Sequence, residues 1–240
     1  MSRRPYLTLK KLVGKAIHQY GMITDGQRIA VGLSGGKDSL TMMWMLTERL
    51  ARIPIDYELV AIYVDPGFEG SDVARLERYC REMDYRLIVE RTDFGIRAHS
   101  EENRENPCFL CARLRRKRLF EIAARQGCDK LALGHHKDDI IETLFMNMCF
   151  GGTISTMVPS QRLFDGALTI IRPLTYVDED TIRRFALQKE FPVFHNACPS
   201  EKKSKRYEIK NMLKELYRMN RKVKGNIFRS LSHINTDYLL

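Results

Sequence analysis

Short apolar runs alternate with amphipathic stretches along most of this chain. The apolar run at residues 29–33 is followed by apolar positions at helical spacing, and the same alternation recurs toward the C-terminus. The predicted strands span residues 29–33, 59–64, 87–89, 131–133 and 168–171, and the predicted helices span residues 39–51, 71–83, 111–124, 138–150 and 178–189. This order predicts an α/β fold with a doubly wound, mostly parallel sheet and helices on both faces.

The two ends of the chain are basic and helical in pattern. Residues 7–17 carry apolar positions at helical spacing with lysines on the other faces, which predicts an amphipathic helix. The chain from about residue 200 is also helical in pattern but highly charged. We therefore expect three segments, namely an N-terminal basic helical segment at 1–25, a central α/β domain at 26–199 and a basic C-terminal helical appendage at 200–240.

A glycine-rich loop joins the first predicted strand to the helix that follows it. Glycines at such a junction let the backbone approach a ligand closely, and the free N–H groups of the first helical turn favour an anion. Lys37 adds a positive charge, while Ser34 and Ser39 add hydroxyl donors. We therefore expect this loop to hold the phosphates of a nucleotide. The candidate binding residues are Leu33, Ser34, Gly35, Gly36, Lys37, Asp38 and Ser39.

This loop differs from the two commonest nucleotide-binding signatures. A Walker A loop has four residues between its first glycine and its Gly-Lys pair, followed by Ser or Thr. Here three residues separate Gly32 from Gly36, and Asp38 follows Lys37. The glycines also lack the Gly-x-Gly-x-x-Gly spacing of dinucleotide-binding folds. The loop resembles instead the PP-loop of N-type ATP pyrophosphatases, which cleave ATP to AMP and pyrophosphate. The alternative interpretation is an ordinary glycine-rich turn in an α/β sheet.

The ends of two other predicted strands carry further candidate residues. Val64 and Asp65 end the second strand, and Gly134, His135 and His136 follow the fourth. Ligands of doubly wound sheets bind at the carboxyl ends of strands, near the point where the strand order reverses. We therefore expect Val64 and Gly134 to contribute to the nucleotide site. Either histidine could contact a nucleotide or pack beneath the site.

The distribution of charge narrows the class of partner. The chain has a formal net charge of +10, from 40 Lys and Arg against 30 Asp and Glu. One basic cluster lies at residues 113–118, and a second runs through residues 202–229. Clustered cations favour a polyanionic partner such as nucleic acid, although a solvated helix face is the alternative. Beside a nucleotide-binding loop, they favour RNA.

Neither a membrane partner nor export is indicated by the sequence. No apolar run approaches the roughly 20 residues that span a bilayer. The basic N-terminus is not followed by the apolar stretch of a signal peptide. We therefore expect a cytoplasmic protein whose cysteines are reduced.

Three of the six cysteines form a pattern that suits a metal or catalysis. Cys108 and Cys111 form a Cys-x-x-Cys pair at a predicted helix start, and Cys198 lies far along the chain. Backbone N–H groups, Arg113 and Arg115 are expected to lower the pKa of these thiols. The pattern is compatible with a zinc site completed by a histidine, a redox pair, a catalytic persulfide, or an iron–sulfur cluster with one open iron. Spacing alone does not choose between zinc and iron.

The order of these motifs resembles that of the TtcA-type tRNA 2-thiocytidine synthetases, a family of PP-loop ATP pyrophosphatases. The resemblance covers nearly the whole chain. The matching positions are the loop at 34–39, Pro107, Cys108, Cys111, residues 113–116, residues 134–139, Glu142, Thr143 and Cys198. The resemblance implies that segment 26–199 is a PP-loop ATP pyrophosphatase domain. It also implies that Cys108, Cys111 and Cys198 hold a [4Fe-4S] cluster with one free iron.

The same resemblance implies a reaction. A cytidine of the tRNA anticodon loop, at position 32, would become 2-thiocytidine through an adenylated intermediate, with ATP, Mg²⁺ and the cluster as cofactors. The expected partners are tRNA, a sulfur donor such as a cysteine desulfurase, and a second copy of the chain in a homodimer. One alternative is another PP-loop tRNA-modifying enzyme, such as a 2-thiouridine or lysidine synthetase. The other is a non-catalytic, metal-containing RNA-binding protein.

Within that reaction, Lys37, Asp38, Asp139 and Arg115 are the candidate catalytic residues. Lys37 and Mg²⁺ would neutralise charge on the phosphates. Asp38 would bind the magnesium or orient the loop, and Asp139 is the better candidate for a catalytic or Mg²⁺-binding carboxylate. Arg115, one helical turn after the cysteine pair, would face the cluster and the phosphates or contact the RNA backbone. His195 would lie beside the cluster or in a surface loop.

Overall fold

The computed structural model describes residues 4–194, 198–200 and 204–238. The strands are β1 (Gln27–Gly32), β2 (Tyr57–Asp65), β3 (Leu87–Arg91), β4 (Lys130–Leu133), β5 (Ser160–Leu163) and β6 (Leu168–Ile171). The helices are α1 (Arg4–Gln19), α2 (Lys37–Leu50), α3 (Val73–Glu82), α4 (Phe94–Ala98), α5 (Pro107–Arg125), α6 (Lys137–Gly151), α7 (Glu179–Gln188), α8 (Lys205–Met219) and α9 (Val223–Ser230). Short 3₁₀ turns lie at Phe164–Gly166 and Thr236–Tyr238.

The strands form one sheet in the order β3-β2-β1-β4-β6-β5. All neighbouring pairs are parallel except β5 with β6. The doubly wound, mostly parallel sheet predicted from the sequence is therefore confirmed. The chain moves outward from β1 through β2 to β3 and then returns to the other side of β1 with β4. This reversal of strand order opens a crevice at the carboxyl ends of β1 and β4, where such sheets bind ligands.

Alternating residues of the central strands pack on opposite faces of the sheet. Ile29 and Val31 of β1 belong to a core formed with α1, α2 and α7, whereas Ala30 belongs to a second core that includes Ile122 of α5. Burial on both faces explains why β1 is a continuous apolar run rather than an alternating one. Among the helices of the first core, α1 buries one apolar stripe, which includes Leu9.

The C-terminal helices pack against α6 through a smaller apolar cluster. Ile209 and Leu213 of α8 are buried against Ile141 of α6. These contacts bring the predicted appendage against the carboxyl end of the sheet, although the division of the chain at residues 25 and 199 stays a prediction. Among the described residues, none of the helices combines the length and the apolar character needed to cross a membrane.

The strand β5 and the short helix α4 were absent from the sequence-based prediction. The sequence of β5 is Ser-Gln-Arg-Leu, and it lies at the edge of the sheet with Gln161 and Arg162 exposed. An edge strand that buries little carries no apolar run, so hydrophobic periodicity does not reveal it. The helix α4 has only five residues, which is too short for a helical period to stand out.

Candidate active site

The glycine-rich loop between β1 and α2 is held in shape by its two serines. The backbone N–H of Ser34 donates to Ser39 Oγ at 3.1 Å, and Ser39 Oγ donates to the carbonyl oxygen of Gly36 at 3.0 Å. Helix α2 begins at Lys37, so the N–H groups of its first turn lie at the end of this loop. This is the arrangement that the sequence predicted for an anion site.

Gly35 meets two constraints that exclude a side chain. Its φ is +79°, a conformation that L-residues rarely adopt. A Cβ atom there would also lie 3.2 Å from Cβ of Phe194. This close approach places Phe194, which precedes Cys198 by four positions in the sequence, against the phosphate-binding loop.

Gly134 brings the end of β4 against the same loop. A Cβ atom at Gly134 would lie 3.0 Å from the backbone nitrogen of Ser39 and 3.1 Å from the carbonyl carbon of Asp38. On the other side of β1, the N–H of Leu33 donates to the carbonyl oxygen of Ile62 at 2.9 Å. Val64 is buried two residues further along β2. The structure therefore gathers Leu33 and Gly134 at the loop, with Val64 beneath its β2 side.

Asp38 and Asp139 lie on either side of His136. The Nε2 atom of His136 is 3.7 Å from Asp38 Oδ1 and 3.4 Å from Asp139 Oδ2. The backbone N–H of His136 also donates to Asp139 Oδ2 at 3.0 Å, which fixes this carboxylate at the start of α6. The two predicted carboxylates are therefore brought together, and His136 is the buried residue between them.

Asp38 is a carboxylate with an unsatisfied oxygen. Its Oδ1 atom is buried without a hydrogen-bond partner in the described part of the chain. Burial raises the pKa of Asp38, and the charges of His136 and Lys37 only partly oppose that effect. A divalent cation would satisfy this oxygen, and Mg²⁺ typically binds one or two carboxylates together with substrate phosphates. Asp38 and Asp139 fit that requirement.

Lys37 is held between two carboxylates. Its Nζ atom lies 3.3 Å from Asp38 Oδ2 and 3.1 Å from Glu179 Oε1. Burial disfavours the charged ammonium, but Asp38 and Glu179 outweigh it and raise the pKa of Lys37. Lys210 of α8 contacts the other oxygen of Glu179 at 2.8 Å. Burial opposes ionisation of Glu179, but these two lysines lower its pKa to about 2.

Two more cations from the C-terminal helices reach the carboxylates of α6. Arg206 lies 3.4 Å from Asp139 and 3.2 Å from Glu142. Lys224 lies 2.5 Å from Asp138 and 2.9 Å from Asp178. The second basic cluster is therefore not one uniform surface, because Arg206, Lys210 and Lys224 face inward. Its members Lys202 and Lys203 lie outside the described residues.

The three patterned cysteines lie near one another. Cys108 and Cys111 occupy the first turn of α5, where Asn106 caps the helix by accepting from the N–H of Phe109 at 3.2 Å. Cys198 contributes to raising the pKa of both thiols, so the three sulfurs are within electrostatic range of one another. Ser200, two residues beyond Cys198, bonds His99 at 2.8 Å and holds this segment in place.

The expectation that these thiols have lowered pKa values is wrong. Burial raises the pKa of Cys108 and of Cys111, and the neighbouring thiols raise both further. The charge of Arg115 lowers the pKa of Cys111, as expected, but burial raises this pKa by more. Within the described residues, no three His, Cys, Asp or Glu side chains are close enough to share one metal ion. Thiolates of a cluster bind separate irons, so the donor set fits an iron–sulfur cluster better than one zinc ion.

Arg115 is half-buried between the cysteines and β2. Its Nε atom is buried without a hydrogen-bond partner among the described residues. Its charge lowers the pKa of Cys111 and also acts on Tyr63 of β2. By contrast, Arg116 and Lys117 are exposed on the same helix. The predicted basic cluster on α5 therefore has one residue turned toward the cysteines and others turned toward solvent.

Sequence reasoning missed Glu179 and Arg172. Glu179 is in an acidic stretch at the start of α7, which is a common place for acidic residues and gave no separate signal. Arg172 is buried just after β6, and its Nε atom donates to His135 Nδ1 at 3.4 Å. Nothing in the sequence distinguishes Arg172 from a surface arginine. His195 lies outside the described residues.

The chain is similar to several known proteins. Residues 5–216 match the family model of the PP-loop domain. The chain is 41% identical over 239 residues to a tRNA-cytidine(32) 2-sulfurtransferase of Geotalea daltonii, with 98% of this chain and 94% of that protein covered. It is 40% identical over 238 residues to the protein of the same name from Geobacter sulfurreducens, with 98% and 93% covered.

Two solved structures are similar in fold. One is the U34-tRNA thiolase NcsA from Methanococcus maripaludis with its [4Fe-4S] cluster, which has a TM-score of 0.79 and 28% sequence identity and covers 96% of this chain and 80% of that chain. The other is an NH3-dependent NAD synthetase from Campylobacter jejuni, with a TM-score of 0.54, 14% identity and 97% and 93% coverage. The second likeness shows the fold alone.

We predict that Gly134→Ala impairs the phosphate-binding loop. The added methyl group would meet the backbone of Asp38 and Ser39, which cannot rotate away as a flexible side chain could. Such overpacking should lower the free energy of unfolding by about 1–3 kcal/mol and weaken ATP binding. Gly151→Ala is the matched control, because a methyl group there would meet only Thr153 Oγ1 at 3.8 Å. Equal ATP affinity of both variants, measured by titration calorimetry, would contradict the prediction.

We predict that Glu179→Gln removes a pH-dependent contribution to stability. Folding lowers the pKa of Glu179 from 4.5 to about 2, so its ionised form stabilises the fold above pH 4.5, and this contribution is lost as the pH falls toward 2. At neutral pH the variant should be destabilised by about 1–2 kcal/mol, because solvent screens part of the interaction. Urea unfolding across this pH range should show the difference shrinking in acid. The exposed Glu82→Gln should stay within about 0.5 kcal/mol of wild type, and a constant difference for Glu179→Gln would refute the assignment.

Proposed function

Because this chain belongs to the tRNA-cytidine(32) 2-sulfurtransferase family, enzymes built on the PP-loop domain, we propose that it converts a cytidine of the tRNA anticodon loop to 2-thiocytidine. The observation that carries the proposal is the pairing of Asp38 and Asp139 across His136 at the phosphate-binding loop, together with three cysteines within electrostatic range of one another. The C2 oxygen of cytidine is a poor leaving group. Transfer of AMP to this oxygen makes it a phosphate ester that leaves easily when sulfur replaces it.

The loop at residues 34–39 would bind ATP. Its N–H groups at the start of α2 point to where the phosphates would lie. When ATP binds, the ion pairs of Lys37 with Asp38 and Glu179 would weaken. The ammonium group would then stabilise the negative charge that develops on pyrophosphate. Glu179 and Lys210 would then position Lys37, because Glu179 bridges the two lysines. The expected products from ATP are AMP and pyrophosphate.

Asp38 and Asp139 would hold Mg²⁺. The unsatisfied Oδ1 atom of Asp38 supports this role, as does the position of Asp139 across His136. The ion would neutralise the triphosphate and keep the α-phosphorus accessible to the C2 oxygen. Asp139 would exchange its contact with Arg206 for the ion when ATP binds.

Cys108, Cys111 and Cys198 would hold a [4Fe-4S] cluster. The cluster, bound through three thiolates, would present the sulfur that replaces oxygen. Arg115 would then lie beside the cysteines and compensate negative charge there, since its Nε atom has no other partner in the described residues. The site must also exclude water, because water would hydrolyse the adenylated cytidine.

The exposed cations of α5 would bind the tRNA backbone. Arg116 and Lys117 face solvent on the helix that carries the cysteine pair. Phosphate contacts from such residues position the RNA without reading its sequence. The proposed partners are therefore tRNA and a sulfur donor such as a cysteine desulfurase, with a homodimer as the proposed assembly. A tRNA substrate also favours a cytoplasmic location.

The activity can be tested in a bacterial strain that lacks its own tRNA-cytidine sulfurtransferase. Expression of this chain should restore 2-thiocytidine in tRNA, as measured by mass spectrometry of nucleosides, and Lys37→Ala should not restore it. Lys11→Ala is a matched control because Lys11 is an exposed lysine of α1 that belongs neither to the phosphate-binding loop nor to the carboxylate network. Formation of 2-thiouridine or lysidine instead would favour another PP-loop enzyme. An unchanged nucleoside profile without tRNA-dependent pyrophosphate release would favour a non-catalytic RNA-binding protein.

The cluster can be tested by metal analysis of protein purified without oxygen. We expect iron with acid-labile sulfide, and both should be lost in Cys108→Ala. Cys149→Ala is the control because Cys149 is exposed on α6 and outside the three-cysteine set. Zinc without iron in the wild-type protein would overturn the proposed source of sulfur.

A further inference from the structure

A cavity of about 470 Å³ opens beside the proposed active site. It lies at the carboxyl ends of β4 and β6, where Leu133 and Ile170 form part of its wall, and Phe120 of α5 closes one side. Arg206 also lines it and contacts Asp139 at 3.4 Å. The cavity is therefore separated from the candidate catalytic carboxylate by a single side chain.

In the described part of the chain, the residues that line the cavity include three arginines and no carboxylate, although Arg206 is already paired with Asp139 and Glu142 outside the lining. Arg116, Arg172 and Arg206 line it. Arg172 is only 5% exposed, yet among the described residues its side chain donates only to the neutral His135 ring and to the carbonyl oxygen of Val158. Burial and the charge of Arg116 lower the pKa of Arg172 to about 10. A buried guanidinium without a counter-ion is costly, so the cavity is suited to an anionic ligand.

The hydrogen-bonding groups of the cavity suit a cytosine base. Burial lowers the pKa of His135 to about 4, so the ring is neutral at pH 7. Its Nδ1 atom accepts from Arg172, which assigns the proton to Nε2 and makes that nitrogen a donor. Asn147 gives its amide hydrogens to Ser155 and keeps Oδ1 as an acceptor. Cytosine presents two acceptors, O2 and N3, and an amino donor, which matches this set.

An exposed aromatic residue stands at the cavity wall. Phe164 is 62% exposed and has a φ of 53°, which is strained for a residue that is not glycine. Its ring packs edge-on against Phe120 with 5.7 Å between centroids. Unstacked RNA bases are commonly held on such aromatic surfaces.

We propose that this cavity receives the cytidine that is modified, with the base against Phe164 and Phe120 and an adjacent phosphate at Arg172 and Arg116. The proposal rests on the tRNA thiolation proposed above. It requires the target base to leave the RNA stack, as enzymes acting on bases generally require. Once seated, its C2 oxygen would lie on the side of the cavity that Arg206 shares with Asp139.

The test is binding of an anticodon stem-loop RNA to the cluster-loaded protein, with a non-hydrolysable ATP analogue present. Two RNAs are compared, with cytidine or uridine at the target position. The wild type should prefer cytidine by about tenfold, because the N3–H of uracil would face donors. Arg172→Gln should weaken cytidine binding by about tenfold through loss of a charge-assisted bond, and Phe164→Ala should reduce affinity for both RNAs by a similar factor through loss of stacking.

Arg162→Gln is the matched control. It removes the same charge from Arg162, an exposed residue of β5 that does not line the cavity. The cytidine preference should therefore be unchanged. Affinity for the ATP analogue reports whether each variant is folded. If Arg172→Gln does not fold, Phe164→Ala decides the question, because Phe164 is exposed.

The outcomes separate this proposal from the proposed reaction. If the wild type forms 2-thiocytidine but both cavity variants bind and modify RNA as it does, the cavity assignment is wrong. If the wild type forms no 2-thiocytidine but prefers the cytidine RNA in a manner that depends on Arg172 and Phe164, the cavity assignment stands and the reaction is wrong. A third outcome is that inorganic phosphate displaces the RNA and that the protein shows no preference for cytidine over uridine. The cavity would then be only an anion site, and the assignment of the base to it would be wrong.

Discussion

Carboxylates are crowded at the carboxyl end of this sheet, and the rest of the structure is arranged around their charge. Asp38, Asp139 and Glu142 lie within one network, and burial raises the pKa of Asp38 and of Glu142. Unpaired, such groups would repel one another and oppose folding. Lysines and arginines from other parts of the chain compensate this charge.

Those cations come mainly from the C-terminal helices. Part of the positive charge of these helices therefore pairs with carboxylates of the protein itself. Arg206 and Lys210 on α8 and Lys224 on α9 each contact at least one carboxylate of the crevice. Apolar packing of α8 on α6 sets the position from which they reach inward. Because Glu179 joins Lys210 to Lys37, the C-terminal helices also influence the lysine of the phosphate-binding loop. A change in that helix pair would therefore reach the nucleotide site.

The sequence was sufficient to predict the parallel strands of the sheet and the glycine-rich loop, but it did not predict this network of charges. The strands β1, β2 and β4 are recognisable in the sequence as continuous apolar runs, because both of their faces are buried. The loop was predictable because its glycines and Lys37 are local in sequence. Pairing between Lys224 and Asp138 joins residues far apart in the chain, and a charged helix looks the same whether its lysines face water or carboxylates. Only tertiary packing distinguishes these two cases. The strand β5 was not predicted for a different reason, namely that it buries few residues.

Helix α5 connects the separate parts of the proposed chemistry. Its first turn carries Cys108 and Cys111, Arg115 follows one turn later beside them, and Arg116 and Phe120 continue into the cavity wall. A rigid helix fixes the distances between these groups better than a loop would. In the proposed reaction, sulfur would approach from one end of this helix, and the base would sit further along it. In that proposal, one helix would present Arg115 toward the cysteines and its exposed cations, such as Lys117, toward the RNA.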